Sequence, residues 1–190
     1  MSTRYAELNN AHKTFIGRQH IFFVGTAAQE GFVNVSPKGM DSFRVINNSK
    51  IVWLNLTGSG NESAAHILEN DRMTVMFCSF EKRPLILRLY GHARVIHPRN
   101  EHWSERIALF PDFIGARQIF ELHLEMVQTS CGYAVPYYEL TSERPTLDQW
   151  ADKRGKQGIE KYWEDRNTKS LDNKDTGILN DVEPSNPPGE

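Results

Sequence analysis

The chain has 190 residues, with 39% hydrophobic and 24% charged side chains, a composition that suits one globular domain with a real core. A net charge of −2 gives no broad field to attract nucleic acid or anionic lipid, so any bound anion must be held by a local site. No run is long and apolar enough to cross a bilayer, and the amino terminus has no apolar core behind Arg4, so a soluble, cytoplasmic protein is expected. The two cysteines, Cys78 and Cys131, read as thiols in a reducing compartment.

In chain order, Ala6 to Gln19 reads as a helix with Leu8, Ala11 and Phe15 on one side. His20 to Ala27 is rich in aromatic and β-branched residues and predicts a strand. Gln29-Glu30-Gly31 then turns the chain back into Phe32–Val35. Further strand-like runs lie at Phe43–Ile46, Ile51–Leu56, Met73–Phe80, Leu85–Ile96 and Ile119–Val127. Helices are predicted from Asn61 to about Asn70, and over Glu101–Phe110 with Asn100 as its cap. Short strands with few helices between them favour antiparallel pairing in a barrel or sandwich. Thr146-Leu147-Asp148-Gln149 has the form of a capping box opening a short helix through Trp150. Gly155 and Gly158 are expected to break it before a second helical segment at Ile159–Arg166. The polar stretch from Lys169 to Glu190, with Pro184, Pro187 and Pro188, is expected to run extended over the surface or without order. The predicted organisation is a barrel over 1–145, a helical extension over 146–168 and a tail over 169–190.

Four segments could carry chemistry. Asn34-Val35-Ser36-Pro37-Lys38 leads into a turn that brings a hydroxyl, an ammonium and free amides together, a set able to hold phosphate. Asn55 to Ser63 runs from a strand through Thr57, Gly58 and Gly60 to a helix start at Asn61. Glycines there permit close approach, and unpaired amides at a helix start favour an anion. Its glycine and lysine spacing fits neither a Walker loop nor a dinucleotide fingerprint. Arg88 sits in a strand between Leu87 and Leu89 and wants a carboxylate or phosphate partner; a surface ion pair serves equally. Ser130-Cys131-Gly132 is a small-residue run suited to a flat ligand, and nothing beside Cys131 marks it as an activated nucleophile. His92, His97 and His102 are spaced too widely for a local metal clip, and no metal is expected.

In order, these segments resemble the pyridoxamine 5'-phosphate oxidase-like family of FMN-binding split barrels from about Phe15 to Pro136. The resemblance rests on Gly31-Phe-Val-Asn-Val-Ser-Pro-Lys-Gly39, on Asn61–Asn70 followed by Met73–Phe77, and on Leu87-Arg-Leu-Tyr-Gly-His-Ala-Arg-Val95. Ser130-Cys-Gly-Tyr-Ala-Val-Pro136 and Trp163 with Asn167-Thr-Lys-Ser-Leu-Asp172 are similar to an uncharacterised branch of it. The resemblance implies a mainly β fold, a six-stranded antiparallel split barrel, and a homodimer with FMN at the subunit interface. It also implies an FMN-dependent oxidoreductase whose substrate and catalytic residues are unknown. A flavin carrier or sensor, and a barrel holding a deazaflavin or haem, are the alternatives. By the same resemblance Asn34, Val35, Ser36 and Lys38 lie near the phosphate or ribityl chain. Thr57, Gly58, Asn61 and Ser63 hold the phosphate, Arg88 contacts the flavin, and Ser130 and Cys131 meet the isoalloxazine. This chain has Glu62 and Ser63 where the family often carries arginine or lysine. It also lacks the Arg-x-His ending of the authentic oxidase, so pyridoxamine phosphate oxidation is not expected.

Overall fold

The computed structural model describes residues 2–180. Strands β1 (Thr3–Tyr5), β2 (Phe22–Thr26), β3 (Asn34–Lys38), β4 (Phe43–Val45), β5 (Lys50–Leu56), β6 (Arg72–Cys78), β7 (Ile86–Ile96) and β8 (Ala116–Ser130) form one sheet. Its order is β3-β2-β6-β7-β8-β5-β4, with β1 added beside β8. Every pairing is antiparallel. The sheet is the antiparallel split barrel expected, with eight strands where six were implied. The residue pattern marks seven strand-like runs, corresponding to β2–β8; the one it misses is β1, whose three residues are all exposed and carry no alternation to read.

The split follows from the length of β8. Its first half pairs with β5 from Ala116 to His123, and its last residues pair instead with β1 across Val127 to Thr129, while β7 lies along its other side. Near the change of partner, β7 and β8 slip register at Tyr90/Gly91. A Cβ on Gly91 would sit 1.9 Å from the His123 carbonyl oxygen, so only glycine fits this approach.

Alternation places Leu87 and Leu89 inside and leaves Arg88 facing out, as expected. Inside, Phe22, Val24, Trp53, Val75, Phe77, Phe120 and Leu122 form a close-packed core in which Trp53 stacks on Phe120 at 4.5 Å. Burying each such side chain contributes about 2–3 kcal/mol. On the outer face, Val52, Leu54, Ile96 and Ile119 make a second cluster beneath helix α3 (Trp103–Ile107). Beside it Glu121 is wholly buried, bonded to Arg106 at 2.9 Å and Arg94 at 2.9 Å with Lys50 at 3.3 Å. Burial alone would push this carboxyl up. The Arg106 hydrogen bond and the charges of Arg94 and Lys50 overcome that and hold it at about 2.

Helix α1 (Asn10–Ile16) is shorter than expected, because Asn9 caps it and bonds to the His12 backbone amide. Helix α2 (Glu62–Glu69) buries Ala64, Ala65 and Ile67. Asn100 caps no helix. Its side chain accepts from the His97 amide at 2.7 Å, and α3 begins later without a side-chain cap. Helix α4 (Thr146–Arg166) follows Pro145, and the expected capping box is not made. Gly155, at φ 62°, interrupts α4, whereas Gly158 continues it, so there is one break and not two. The tail also departs from expectation. Ser170, Thr176, Gly177 and Ile178 are buried, so residues 169–180 are docked; Pro184, Pro187 and Pro188 lie outside the described residues. Cys78 is buried, Cys131 is exposed, and both are free thiols. No described helix is long and apolar enough to cross a membrane.

Candidate functional site

The register of β3 against β2 sets Asn34, Ser36 and Lys38 opposite Thr26, Val24 and Phe22, so all three face the barrel interior and Val35 faces out. Lys38 reaches furthest. Its ammonium donates to Asn55 Oδ1 at 3.2 Å and lies 5.4 Å from the centre of the Trp53 ring. Burial, aided by the charge of Arg117, pulls it down to about 8. Such a group gains from any anion brought beside it.

Lys38, Thr57, Gly58 and Ser59 form one wall of a half-open cleft of about 1010 Å³. Trp150 and Tyr162 of α4 line the same cleft, as do Tyr138, Phe80 and Arg18. Arg154 bridges the two α4 rings, 4.6 Å from the Trp150 centroid and 5.2 Å from that of Tyr162. The cleft therefore combines a partly desolvated cation, aromatic side chains and a glycine with open space at its Cβ position. This donor set suits a flat, anionic ligand.

The remaining predicted residues are distributed otherwise. Thr57 lines the cleft, yet its hydroxyl donates to the Gly115 carbonyl at 2.9 Å and accepts from Trp163 Nε1 at 2.8 Å. Asn61 is buried, accepting from Gln118 at 2.6 Å and donating to the Asn167 carbonyl at 3.2 Å. Ser63 Oγ accepts from Asn34 at 3.2 Å and from Thr26 at 3.4 Å. The side chains of Thr57, Asn61 and Ser63 thus all have hydrogen-bond partners within the protein. Arg88 donates to Ser130 Oγ at 3.1 Å on the outer face, away from the cleft, and Cys131 follows exposed at the end of β8. The eleven residues therefore fall into three groups: Lys38, Thr57 and Gly58 at the cleft; Asn34, Ser36, Asn61 and Ser63 inside the barrel; and Val35, Arg88, Ser130 and Cys131 outside it.

What holds the loop is Asn167. Its Oδ1 accepts from Arg117 at 2.8 Å, its Nδ2 donates to the Gly58 carbonyl at 3.1 Å, and its own carbonyl accepts from Thr176 at 2.6 Å. Arg117 is fully buried and also donates to the Gly60 carbonyl at 2.9 Å. Burial brings it down to about 9, with Tyr162 and Glu62 opposing the fall. Further along, Glu62 accepts from the Leu171 amide at 2.8 Å and Asp172 accepts from the Phe32 amide at 3.0 Å. Sequence reasoning passed over Arg117, Trp150 and Tyr162, which show only as residues of a strand and a polar helix. The Trp163…Asn167 motif was the available signal for the clasp.

The family pattern described as pyridoxamine 5'-phosphate oxidase matches residues 8–131. A curated relative from Aspergillus flavus, the pyridoxamine 5'-phosphate oxidase family protein ustO, is 36% identical over 187 residues, covering 88% of this chain and 75% of the relative. Among solved structures, a protein from Lactobacillus delbrueckii assigned as a pyridoxamine 5'-phosphate oxidase superposes with TM-score 0.53 at 18% identity, covering 65% of this chain and 94% of that one. A variant of HupZ from Group A Streptococcus gives TM-score 0.51 at 18% identity, over 64% and 98% of the two chains. At these identities the structural likenesses establish the fold.

Proposed function

Because the chain belongs to the pyridoxamine 5'-phosphate oxidase family, we propose that it binds FMN and works as an FMN-dependent oxidoreductase other than pyridoxamine phosphate oxidase itself. The family match over residues 8–131 carries this reading, and Lys38 adds a local reason for it. A phosphate beside Lys38 would restore the ammonium that burial weakens. Bound FMN would supply hydride and electron transfer. The chain's own residues would bind, orient and shield it. Lys38 and the open backbone at Gly58 line the cleft together with the aromatic side chains of Trp150 and Tyr162, a lining suited to a flat ring system.

On the same reading the protein is a homodimer, and the outer-face residues enter the flavin site only once a second copy is present. Val35, Phe32 and Val33 are 67%, 70% and 72% exposed, an apolar surface beside β3 that a second copy would cover. Arg88 and Ser130 lie outside the barrel, where the partner would meet them. A clean monomer mass by light scattering at micromolar protein would count against the dimer.

The deciding experiment is an absorbance spectrum of purified protein before and after adding FMN and desalting. Retained flavin bands support the proposal, a single intense Soret band points to haem, and a colourless protein that keeps no added FMN refutes flavin binding. Lys38→Ala and Arg88→Ala are each expected to weaken FMN binding by about 1–3 kcal/mol, as for lost charge-assisted hydrogen bonds. Unchanged affinity in both would remove the phosphate from this place. Reduction of the bound flavin by NADH or NADPH, or oxidation of an organic donor, separates an oxidoreductase from a carrier.

A further inference from the structure

A second cleft of about 790 Å³ adjoins the first and shares Gln19, His20, Gly39, Met40, Glu143 and Arg144 with it. Its lining includes Phe22 and Phe77 of the barrel core and Phe43 packed against it. Phe22, Phe43 and Phe77 meet one another with centroids 5.0, 5.7 and 5.1 Å apart, two of the three contacts edge to face. Half-buried Phe43 and Phe113 turn accessible surface into the cleft above them. Edge-to-face clusters of this kind accept a further ring on the same terms.

The wall dividing the two clefts is the turn joining β3 to β4. Met40 and Asp41 there both adopt left-handed backbone, at φ 64° and 51°. Neither is glycine, so the turn is strained, and surrounding bonds hold it: Arg44 donates to both Asp41 carboxylate oxygens at 2.7 and 3.0 Å, and Ser42 Oγ donates to the Gly39 carbonyl at 2.6 Å. The strained turn keeps Met40 between the clefts.

The rim carries charge of both signs. Asp41 is engaged by Arg44, and Glu143 lies 3.5 Å from His20. Arg144 and Asp148 also line this cleft, and neither has a hydrogen-bond or ion-pair partner among the described residues. A cleft lined by phenylalanines together with one unpartnered guanidinium and one unpartnered carboxylate is complementary to a ring whose side chain bears both a carboxylate and an ammonium. The geometry points to this second cleft as the substrate subsite, taking a zwitterionic aromatic molecule of the aromatic amino-acid class. Arg144 meets its carboxylate, Asp148 meets its ammonium, and the ring lies over Phe43 and Phe113. Calling the ligand a substrate rests on the flavin reading; the binding itself does not.

The test is calorimetric titration of the full chain, with and without added FMN, using L-phenylalanine as probe. 2-Phenylethylamine and 3-phenylpropanoate, each lacking one charge, serve as comparisons. Saturable phenylalanine binding is expected, with both comparison compounds about tenfold weaker. Asp148→Asn should weaken phenylalanine and phenylethylamine while leaving phenylpropanoate unchanged, and Arg144→Gln should give the reverse pattern. No saturation up to about 10 mM phenylalanine overturns the subsite, as do charge variants that leave all three affinities unchanged. Flavin retention is scored separately by absorbance. Retained FMN without phenylalanine binding sinks the subsite alone, and phenylalanine binding without FMN retention sinks the flavin reading alone.

Discussion

Asn167→Ala should destabilise the protein more than any exposed substitution in the tail, because Asn167 joins three parts of the chain. It is wholly buried. Its side chain accepts from the Arg117 guanidinium at 2.8 Å and donates to the Gly58 carbonyl at 3.1 Å. Its backbone carbonyl, which accepts from Asn61 and Thr176, survives the substitution. The loss is therefore one hydrogen bond to a charged donor, about 1.5–3 kcal/mol, and one neutral bond, about 0.5–1.5 kcal/mol. Arg117 keeps the Gly60 carbonyl at 2.9 Å, which moderates the first figure. A net cost of about 3 kcal/mol lowers the melting temperature by about 6–12 °C in a chain of this size. Thermal unfolding followed by circular dichroism reads it. A double-mutant cycle with Arg117→Met isolates the coupling: in that background Asn167→Ala should cost only about 1 kcal/mol. A melting point lowered by less than about 2 °C, or equal costs in both backgrounds, would refute the clasp.

Other consequences follow from single positions. Lys38 carries its cost while protonated, so that cost is present below about pH 8 and is relieved as pH rises toward 10.5, where the unfolded chain gives up the same proton. Lys38→Met should raise stability at pH 7 by up to about 3 kcal/mol and remove the rise between pH 8 and 10, read from urea midpoints; an unchanged pH slope would refute this. His97 is buried and held near 4 by burial and by the charges of Arg117 and Arg99, so stability should fall as pH drops from 6.5 toward 4. That fall should vanish in His97→Gln, and its persistence there would assign it to other groups. Gly91→Ala forces a Cβ to within 1.9 Å of a backbone oxygen and should cost at least about 3 kcal/mol, so a native-like melting point would contradict the β7–β8 approach. Glu121→Gln leaves Arg94 and Arg106 facing a neutral amide and should cost about 3–5 kcal/mol by denaturant titration; a neutral result would mean the cluster is hydrated.

By itself the sequence determined seven of the eight strands, because a half-buried strand must alternate. Leu87 and Leu89 against Arg88 give the inner and outer faces of β7, and the ordered motifs identify the family. Lys38 was legible as a candidate from its place beside Ser36 in a segment leading into a turn; that it shares one face of β3 with Ser36 and Asn34 is a matter of register, which the structure supplied. Only the tertiary structure decided which polar groups remain available to a ligand. Thr57, Asn61 and Ser63 have the residue types of an anion loop, but their side chains bond to Trp163, Gln118, Asn167 and Asn34, partners from 29 to 106 residues distant. Local patterning carries no record of such partners, because a hydrogen bond between distant segments leaves no periodicity in either. β1 escaped for a related reason: three exposed residues become a strand only because β8 offers its free edge after parting from β5. The cleft lining is of the same kind, since Trp150 and Tyr162 of α4 join Lys38 of β3 in one cleft although more than 100 residues separate them in the chain.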